Sequence, residues 1–422
     1  MAKNEHGVEA RILGELDKID VTALCADLVR VQSHREAPGH ETPCAQQIAA
    51  LLEREGISAE LQTVRDGRCN VIGTLKGTGS GPVLMYNGHI DTVPPGEMPE
   101  PFAPKIVDGK LAGRGTVDMK GGLAGQLAGM IALKRANIKL SGDLIFAGVI
   151  AEEDSTSLGS LHVIEHGPKP DMIVVSEPSA LGTITAHKGF DYYRIDIEGR
   201  ACHSSKPHEG VSAVYKGACI VNAIGNGFIE RSCARKHPLL GAASLNVAAI
   251  LGYSNSEAVT ALRRAPGDKP AGAVVPDICT IYLDRRRIPG ENLDDVLADF
   301  EQLLAELRRS DPKLVARASF TPACPELPTH PPLDTDPRHR LVTECARLAA
   351  QVTGSDAAPK GVPFWSDAAL FNDIAKIPAI VFGPGDVAVA HSNHEFVPVD
   401  ELTKSARVFA LLAASLLEAR AL

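Results

Sequence analysis

The sequence predicts an α/β fold with a mainly parallel sheet flanked by helices, interrupted by a smaller α+β domain. Up to about residue 186, helical apolar periodicity alternates with short apolar runs that are typical of buried strands. From about residue 187 to 325, the strand-like runs alternate polar and apolar residues, which indicates strands with one exposed face. We therefore expect a main domain at residues 1–186, an inserted domain at 187–325 and the rest of the main domain at 326–422.

The elements of the main domain follow from these patterns in chain order. Helices are expected at 22–31, 44–55 and 122–136, and strands at 70–75, 83–86, 144–151 and 172–175. In sheets of this type, ligands bind beyond the carboxyl ends of the strands. Residues that follow the apolar runs are therefore the first candidates for a functional site.

The inserted domain and the chain after it show different patterns. Strands are expected at 191–198 and 277–284, and helices at 211–226 and 293–308. The stretch 254–272 is rich in charge, glycine and proline and is expected to form an enlarged loop. Prolines between 322 and 332 mark the return to the main domain. A helix at 337–353, a strand at 379–382 and a helix from Val399 complete the predicted elements.

Composition and charge argue against several classes of function. The formal net charge of -9 over 422 residues argues against nucleic acid or an anionic membrane surface as the main partner. No apolar run reaches membrane-spanning length and the first residues lack the apolar core of a signal peptide, so we expect a cytoplasmic protein. The nine cysteines form no C-x-x-C pair, which favours reduced thiols over a disulfide framework or a cysteine–zinc site.

A histidine and an aspartate lie two residues apart just after the apolar run 83–86. If both residues lay on a strand, their side chains would project from the same face of the sheet. His89 could then offer a ring nitrogen to a metal, while Asp91 orients the imidazole from behind. This pair alone is a weak signal.

Further acidic and histidine residues stand at or near the ends of other apolar runs. These residues are Asp118, Glu152, Glu153, Glu177 and His391. Two carboxylates and a histidine per metal, with one group shared, would complete a two-metal hydrolytic centre. An adjacent Glu-Glu pair is usually a solvated surface pair. Here the preceding run 144–150 is apolar enough for a buried strand, which favours a place in the site.

Six motifs occur in order along nearly the whole chain. They are 88–94 (GHIDTVP), 113–122 (GRGTVDMKGG), 151–154 (AEED), 176–179 (SEPS), 199–205 (GRACHSS) and 390–395 (AHSNHE). With these motifs the chain resembles the dinuclear-zinc amidohydrolases that include acetylornithine deacetylase, succinyl-diaminopimelate desuccinylase, aminoacylase and glutamate carboxypeptidase. The resemblance implies two Zn²⁺ ions per chain in a zinc-exopeptidase-like catalytic domain. The ligand types also suit Co²⁺ or Mn²⁺.

The resemblance also assigns the metal ligands. His89 and Glu177 would hold one ion, and Glu153 and His391 would hold the other. Asp118 would bridge the two ions, and the peptide bond that follows it would be cis, as in the family.

Catalytic and substrate-binding roles follow from the same resemblance. Glu152 would be the general base that accepts a proton from metal-bound water, and Asp91 would support the metal-binding histidine. His203 would polarise the scissile carbonyl, and Arg286 would grip a substrate carboxylate with its planar fork. Asp367 resembles a residue of the family's substrate-side loop.

Alternatives stay open for several residues. Without the resemblance, His203 is interpreted as an ordinary surface histidine and Arg286 as a solvated member of an arginine run. His394 is the main rival for the second metal. The remaining histidines considered, His162, His166, His187 and His208, are expected at surfaces, turns or helix caps.

The sequence therefore predicts a metallohydrolase that cleaves an amide bond next to a free carboxylate. Its substrate would be an N-acyl amino acid or a short peptide, as for a deacylase or carboxypeptidase. One alternative is a di- or tripeptidase that uses the same centre. Another is a non-catalytic ligand-binding homologue, which would require a lost ligand or base. In the family the histidine of the inserted domain reaches the partner subunit's site, so the resemblance implies a homodimer formed through that domain.

Overall fold

The computed structural model describes residues 2–254 and 273–421. The chain divides into two compact units, with residues 1–187 and 333–422 in the first and residues 188–332 in the second. The chain thus returns to the first unit just after the proline-rich segment rather than within it. The predicted enlarged loop at 254–272 lies almost entirely outside the described residues.

The first unit is built on a nine-stranded sheet. In spatial order, its strands are Ser58–Arg65, Arg68–Leu75, Leu144–Val149, Leu84–His89, Met172–Val175, Ala379–Val381, Ile184–His187 and Leu333–Asp334, with Lys360–Val362 paired to Ile184–His187. The four central strands, from the third to the sixth of this order, run parallel. The predicted α/β class is confirmed, and antiparallel pairs flank the parallel centre on both sides.

Helices cover both faces of this sheet. The central strands are apolar at successive positions, so their side chains need to be buried on both faces. Leu84 and Tyr86 pack into one core and Met85 into the other, and all three are fully buried. A strand that is buried on both faces needs apolar residues throughout, which explains the unbroken apolar run in the sequence. The helices of this unit are Ala2–Leu16, Val21–Arg30, Thr42–Arg54, Gly121–Arg135, Leu158–His166, Arg340–Thr353, Ala368–Asp373 and Val399–Leu416.

One strand of the edge hairpin, Ser58–Arg65, was not predicted, whereas its partner Arg68–Leu75 was expected at 70–75. Strand Ser58–Arg65 pairs with Arg68–Leu75 through the two-residue turn formed by Asp66 and Gly67. Both turn residues have positive φ angles, 49° and 78°, as a type I′ hairpin turn requires. An Asp-Gly pair between two strand-like runs is a strong hairpin signal, so the sequence did contain this information.

Short strands complete the first unit. Lys105–Val107, Lys110–Ala112 and Phe396–Pro398 form one small sheet, and Ile138–Lys139 pairs with Arg420–Ala421. Across the described residues, the helices are too short or too polar to cross a membrane.

The second unit is an antiparallel sheet with helices against one face, which is the α+β arrangement that the sequence predicts. Its strands are, in spatial order, Ser244–Tyr253, Ile278–Arg287, Gly189–Glu198 and Val315–Thr321, and the helices among the described residues are Ala213–Ala223, Ile229–Ser232 and Leu293–Ser310. Ile195 and Ile281 are fully buried in the core with the helices. On the opposite face, Tyr192 and Tyr282 are 38% and 37% exposed. The role of this unit in dimerisation or as a lid stays a prediction.

Candidate metal centre

Three adjacent parallel strands deliver acidic and histidine residues to one edge of the main sheet, as the sequence predicts. The strand that ends at His89 pairs in parallel with the strands that precede Glu152 and Glu177. Carboxyl ends of parallel neighbours lie side by side. The side chains of His89, Glu152, Glu153 and Glu177 therefore converge at that edge.

Asp118 reaches the same place from the tight turn Thr116–Lys120, which leads into a buried helix. The peptide bond after Asp118 is cis, as the family resemblance implied. Glu395 Oε1 accepts hydrogen bonds from the backbone N–H groups of Val117 and Asp118, at 3.1 and 3.3 Å. The other oxygen of Glu395 pairs with Arg114 at 2.5 Å, and both side chains are buried. This ion pair holds the turn, and it was not predicted although both residues lie within the quoted motifs.

Asp118 presents one carboxylate oxygen to each of two histidines. Its Oδ1 lies 3.0 Å from Nε2 of His89, and its Oδ2 lies 3.0 Å from Nε2 of His391. Each histidine has a second acidic neighbour: Glu177 Oε1 is 3.5 Å from the His89 nitrogen, and Glu153 Oε2 is 3.0 Å from the His391 nitrogen. The arrangement is that of two histidine–carboxylate groups joined by one shared carboxylate.

The carboxylates of Glu152 and Glu177 lie close to other carboxylates of the centre, and both desolvation and mutual repulsion raise their pKa values. Desolvation and the carboxylate of Asp118 raise the pKa of Glu177 well above its ordinary value. Desolvation also raises the pKa of Glu152 well above its ordinary value; His89 opposes this shift and Glu177 adds to it. Buried negative charge without a cation is costly, and a divalent cation would offset it.

The two histidines show the complementary effect. Burial lowers the pKa of His89, but Glu177 and Asp118 outweigh it and hold the pKa well above its ordinary value. Hydrogen bonds to Asp118 and Glu153 raise the pKa of His391 to about 10. In each case the neighbouring carboxylates stabilise a positive charge on the ring nitrogen, and they would stabilise a metal ion bound there in the same way.

The residues present fit a pair of divalent cations. Atoms that could bind a metal lie within 4.8 Å of one another in His89, Asp118 and Glu153, and likewise in His89, Glu152 and Glu177. Glu153 Oε1 is buried and has no hydrogen-bond partner among the described residues. Imidazole nitrogens with carboxylate oxygens form a donor set that suits Zn²⁺, Co²⁺ and Mn²⁺.

Asp91 differs from its predicted position. The strand ends at His89, so the alternation of side chains along a strand does not apply to Asp91. The ring nitrogen Nδ1 of His89 lies 3.0 Å from the backbone oxygen of Asp91 and 3.6 Å from its carboxylate. That carboxylate instead accepts hydrogen bonds from the backbone N–H groups of Glu152 and Glu153, at 3.4 and 3.0 Å. Asp91 thus orients the histidine with its backbone and the glutamate loop with its side chain.

His391 and His394 are placed differently by the structure. The ring of His391 contacts two carboxylates of the centre although its side chain is 55% exposed. Its backbone has a positive φ of 59°, which is uncommon for a residue other than glycine and is often found at functional sites. Within the described part of the chain, the ring of His394 makes no ion pair with a carboxylate.

Asp367 lies close to the centre and is buried. Its Oδ2 accepts a hydrogen bond from Ser160 at 2.6 Å, and its Oδ1 has no hydrogen-bond partner among the described residues. Its negative charge contributes to the raised pKa values of Glu152 and Glu177. Asp367 therefore belongs to the electrostatic surroundings of the site.

His187 contradicts its expected surface position. It is fully buried at the end of strand Ile184–His187, and its Nε2 lies 3.1 Å from the hydroxyl of Ser366, next to Asp367. An isolated histidine before Lys188 and Gly189 gave no sequence signal for burial, because the strand it ends is only four residues long.

His203 and Arg286 lie in the second unit. His203 is exposed, and its Nδ1 is 2.7 Å from the hydroxyl of Ser205. Arg286 pairs with Asp284 and lies over the ring of Phe190. Their catalytic and substrate-binding roles stay predictions.

Comparison with known proteins gives the family. The sequence model of peptidase family M20/M25/M40 matches residues 85–415, which is more than half of the chain. The chain belongs to this family. It is accordingly a metallohydrolase that acts on amide bonds, in agreement with the prediction from its motifs.

Two curated relatives of this M20/M25/M40 chain are similar over most of both lengths. A probable succinyl-diaminopimelate desuccinylase of Staphylococcus epidermidis is 28% identical, over 92% of this chain and 95% of the relative. An acetylornithine deacetylase of Myxococcus xanthus is also 28% identical, over 86% and 88%. A tripeptidase structure from Staphylococcus aureus shares the fold, with a TM-score of 0.70 and 18% identity over 93% of this chain and 98% of that chain.

Proposed function

We propose that this chain hydrolyses the amide bond of an N-acyl amino acid or a related carboxylate-bearing substrate. The observation that carries the proposal is Asp118, whose two oxygens face His89 and His391 at 3.0 Å each. A carboxylate shared between two histidine–carboxylate groups could join the two metals of a hydrolytic centre. Curated relatives named desuccinylase and deacetylase, which remove acyl groups from amines, support this substrate class.

His89 and Glu177 would hold one cation, Glu153 and His391 the other, and Asp118 would bridge them. We propose Zn²⁺ for both positions, with Co²⁺ or Mn²⁺ as substitutes. Two such ions, when bound, acidify water and polarise a carbonyl oxygen. Asp91 keeps the first histidine and the glutamate loop in place through the hydrogen bonds described above.

Glu152 is the proposed general base. Its carboxylate lies within 4.8 Å of ligand atoms of His89 and Glu177, but among the described residues it forms no ion pair with either histidine, whereas Asp118, Glu153 and Glu177 do. A carboxylate in this place can take a proton from water and return it to the leaving nitrogen. His203 would stabilise the developing oxyanion, and Arg286 would anchor the substrate carboxylate.

A di- or tripeptidase is the second candidate. Asp367 is buried near the centre and keeps one carboxylate oxygen without a described hydrogen-bond partner. That oxygen could accept hydrogen bonds from the ammonium group of a peptide's amino terminus. A non-catalytic homologue is not supported, because every predicted ligand and the predicted base are present.

We further propose a cytoplasmic homodimer that associates through the second unit. None of the nine cysteines forms a disulfide within the described residues, which is the usual state in a reducing compartment. The dimer follows from the role given to His203 and is tested below.

A substrate panel tests the proposed function. N-acetyl, N-succinyl and aromatic N-acyl amino acids, each beside its carboxamide, should be compared with dipeptides, using protein loaded with Zn²⁺ or Co²⁺. We expect N-acyl amino acids to be cleaved with higher kcat/KM than both their carboxamides and the dipeptides. Faster cleavage of dipeptides with a free amino terminus would favour the peptidase instead.

A further inference from the structure

Arg286 lies on the face of the second unit's sheet opposite the described helices, and it is restrained from two directions. Its guanidinium carbon is 5.0 Å from the ring centroid of Phe190, which stands directly opposite in the neighbouring strand. This distance is within the range of a cation–π interaction. Its Nε and Nη2 each lie 3.2 Å from an oxygen of Asp284, two residues earlier on the same strand and so on the same face.

The ring of Phe190 is itself held firmly. It stacks on the ring of His330 with centroids 3.9 Å apart and an interplanar angle of 18°. The backbone N–H of Phe190 donates a hydrogen bond to the backbone oxygen of His330 at 3.0 Å. Only 8% of Phe190 is exposed. The ring is therefore a rigid platform under a partly exposed, long side chain.

Such a platform matters because an arginine side chain loses conformational entropy when it binds a ligand. The side chain of Arg286 is 37% exposed, so without support it would sample several rotamers. Asp284 occupies the edge formed by Nε and Nη2, which leaves the edge formed by Nη1 and Nη2 for a second carboxylate. Stacking on Phe190 fixes the plane in which that edge lies.

We propose that Phe190 is a positioning residue that orients Arg286 for a substrate carboxylate and thereby sets the preference for carboxylate-bearing substrates. This inference rests on the proposed function, because it takes Arg286 as the carboxylate anchor. Phe190 does not touch the substrate in this scheme. It acts only through the guanidinium.

The test uses the N-acyl amino acid that the panel selects and the same compound with its carboxylate replaced by a carboxamide. Phe190→Leu should raise KM for the carboxylate substrate about two- to fivefold, which is the value of a partly exposed cation–π contact. The kcat, and KM for the carboxamide, should stay near the wild-type values. Phe190→Tyr keeps the ring and should restore KM.

A matched control comes from the same sheet. Phe320→Leu makes the same chemical change opposite Tyr193, on the face that packs against the helices, and should leave the ratio of the two KM values unchanged. In an Arg286→Ala background, Phe190→Leu should have no further effect on KM for the carboxylate. Phe190→Met, which replaces the ring by a flexible chain of similar size, provides the same measurement if the leucine variant does not fold.

The outcomes separate this inference from the proposed function. If Arg286→Ala leaves the preference for the carboxylate intact, Arg286 is not the anchor; this result overturns the inference and removes the anchoring role from the proposed function. If Arg286→Ala abolishes the preference while Phe190→Leu changes nothing, the inference is overturned and the anchor stands. Equal changes in KM for carboxylate and carboxamide would also overturn it, because they indicate a general structural effect.

Discussion

Asp118 makes both halves of the metal centre depend on one side chain. Its oxygens face His89 and His391, and its backbone N–H is held by Glu395 from the far end of the chain. Arg114 neutralises Glu395 within the buried layer behind the turn. The position of the shared carboxylate therefore depends on an ion pair that touches neither histidine.

Glu152→Gln should separate proton transfer from metal binding. The amide cannot accept a proton, so we expect kcat to fall roughly 10²- to 10⁴-fold. Both metals should remain, because Glu152 is not assigned as a ligand. Metal content per chain, measured by atomic absorption beside kcat, checks this. Glu153→Gln is the matched control and should lose metal; the reverse pattern would exchange the roles of the two glutamates.

Glu177 should make the stability of the metal-free protein depend on pH. Desolvation and Asp118 raise its pKa well above the ordinary 4.5, so above about pH 4.5 the folded state binds more protons than the unfolded state. The free energy of unfolding therefore falls as pH rises from 4.5 towards the raised pKa. Glu177→Gln removes this penalty.

Melting of chelated wild type and chelated Glu177→Gln, followed by circular dichroism, measures the effect. The variant should melt at the higher temperature at about pH 8, and the two curves should converge towards about pH 5. A difference that stays constant over this range would mean that the charge of Glu177 is not the cause.

The residues of the centre were the easiest to predict, because metal ligands are few residue types in fixed motifs. Asp91 lies beside His89 but not on its strand, since the strand stops at His89. Burial of His187 and Asp367 depends on contacts between segments far apart in the chain, such as Ser160 with Asp367. Local sequence carries no signal for such contacts.

At the scale of elements, the helix Gly121–Arg135 lies against the strand end that carries Glu177. A Cβ atom on Gly122 would lie 2.1 Å from the backbone oxygen of Ser176, the residue before that glutamate. Glycine is therefore required at Gly122 for the close approach of helix and strand.

Gly122→Ala should therefore displace the Ser176 backbone, lower the melting temperature and weaken metal binding. Gly14→Ala is the matched control: Gly14 also lies in a helix, and a Cβ there would meet nothing within 4 Å. That change should be neutral or stabilise by up to about 1 kcal/mol, because alanine has the higher helix propensity. Equal melting temperatures for the two variants would contradict the packing argument.

Strands of the main sheet were predictable where both faces are buried, as in Leu84–His89, because the apolar run is continuous. Strands Ser244–Tyr253 and Val315–Thr321 were missed. They lie at the edges of the second unit's sheet, where residues such as Leu251 and Val315 are more than half exposed. Each edge strand has one neighbouring strand and one buried face, so fewer of its positions need to be apolar and the pattern is weaker.

At the scale of the whole molecule, the role of His203 can be tested by complementation. If it completes the partner subunit's site, neither His203→Ala nor Asp118→Ala should be active alone. Mixed and reassociated subunits should recover part of the activity, because one hybrid site then contains both an intact His203 and an intact Asp118. No recovery, with subunit exchange shown by a separate label, would restrict His203 to its own chain.

The path of the chain has one more consequence. The chain leaves the first unit at His187 and re-enters it at Leu333, and these two residues are partners in an antiparallel pair. The intervening 188–332 segment thus starts and finishes at neighbouring points, like a hairpin loop enlarged to the size of a domain. The segment could therefore change in length or sequence without altering the register of the main sheet. The residues of the candidate metal centre all lie outside this segment, so they would keep their places through such changes.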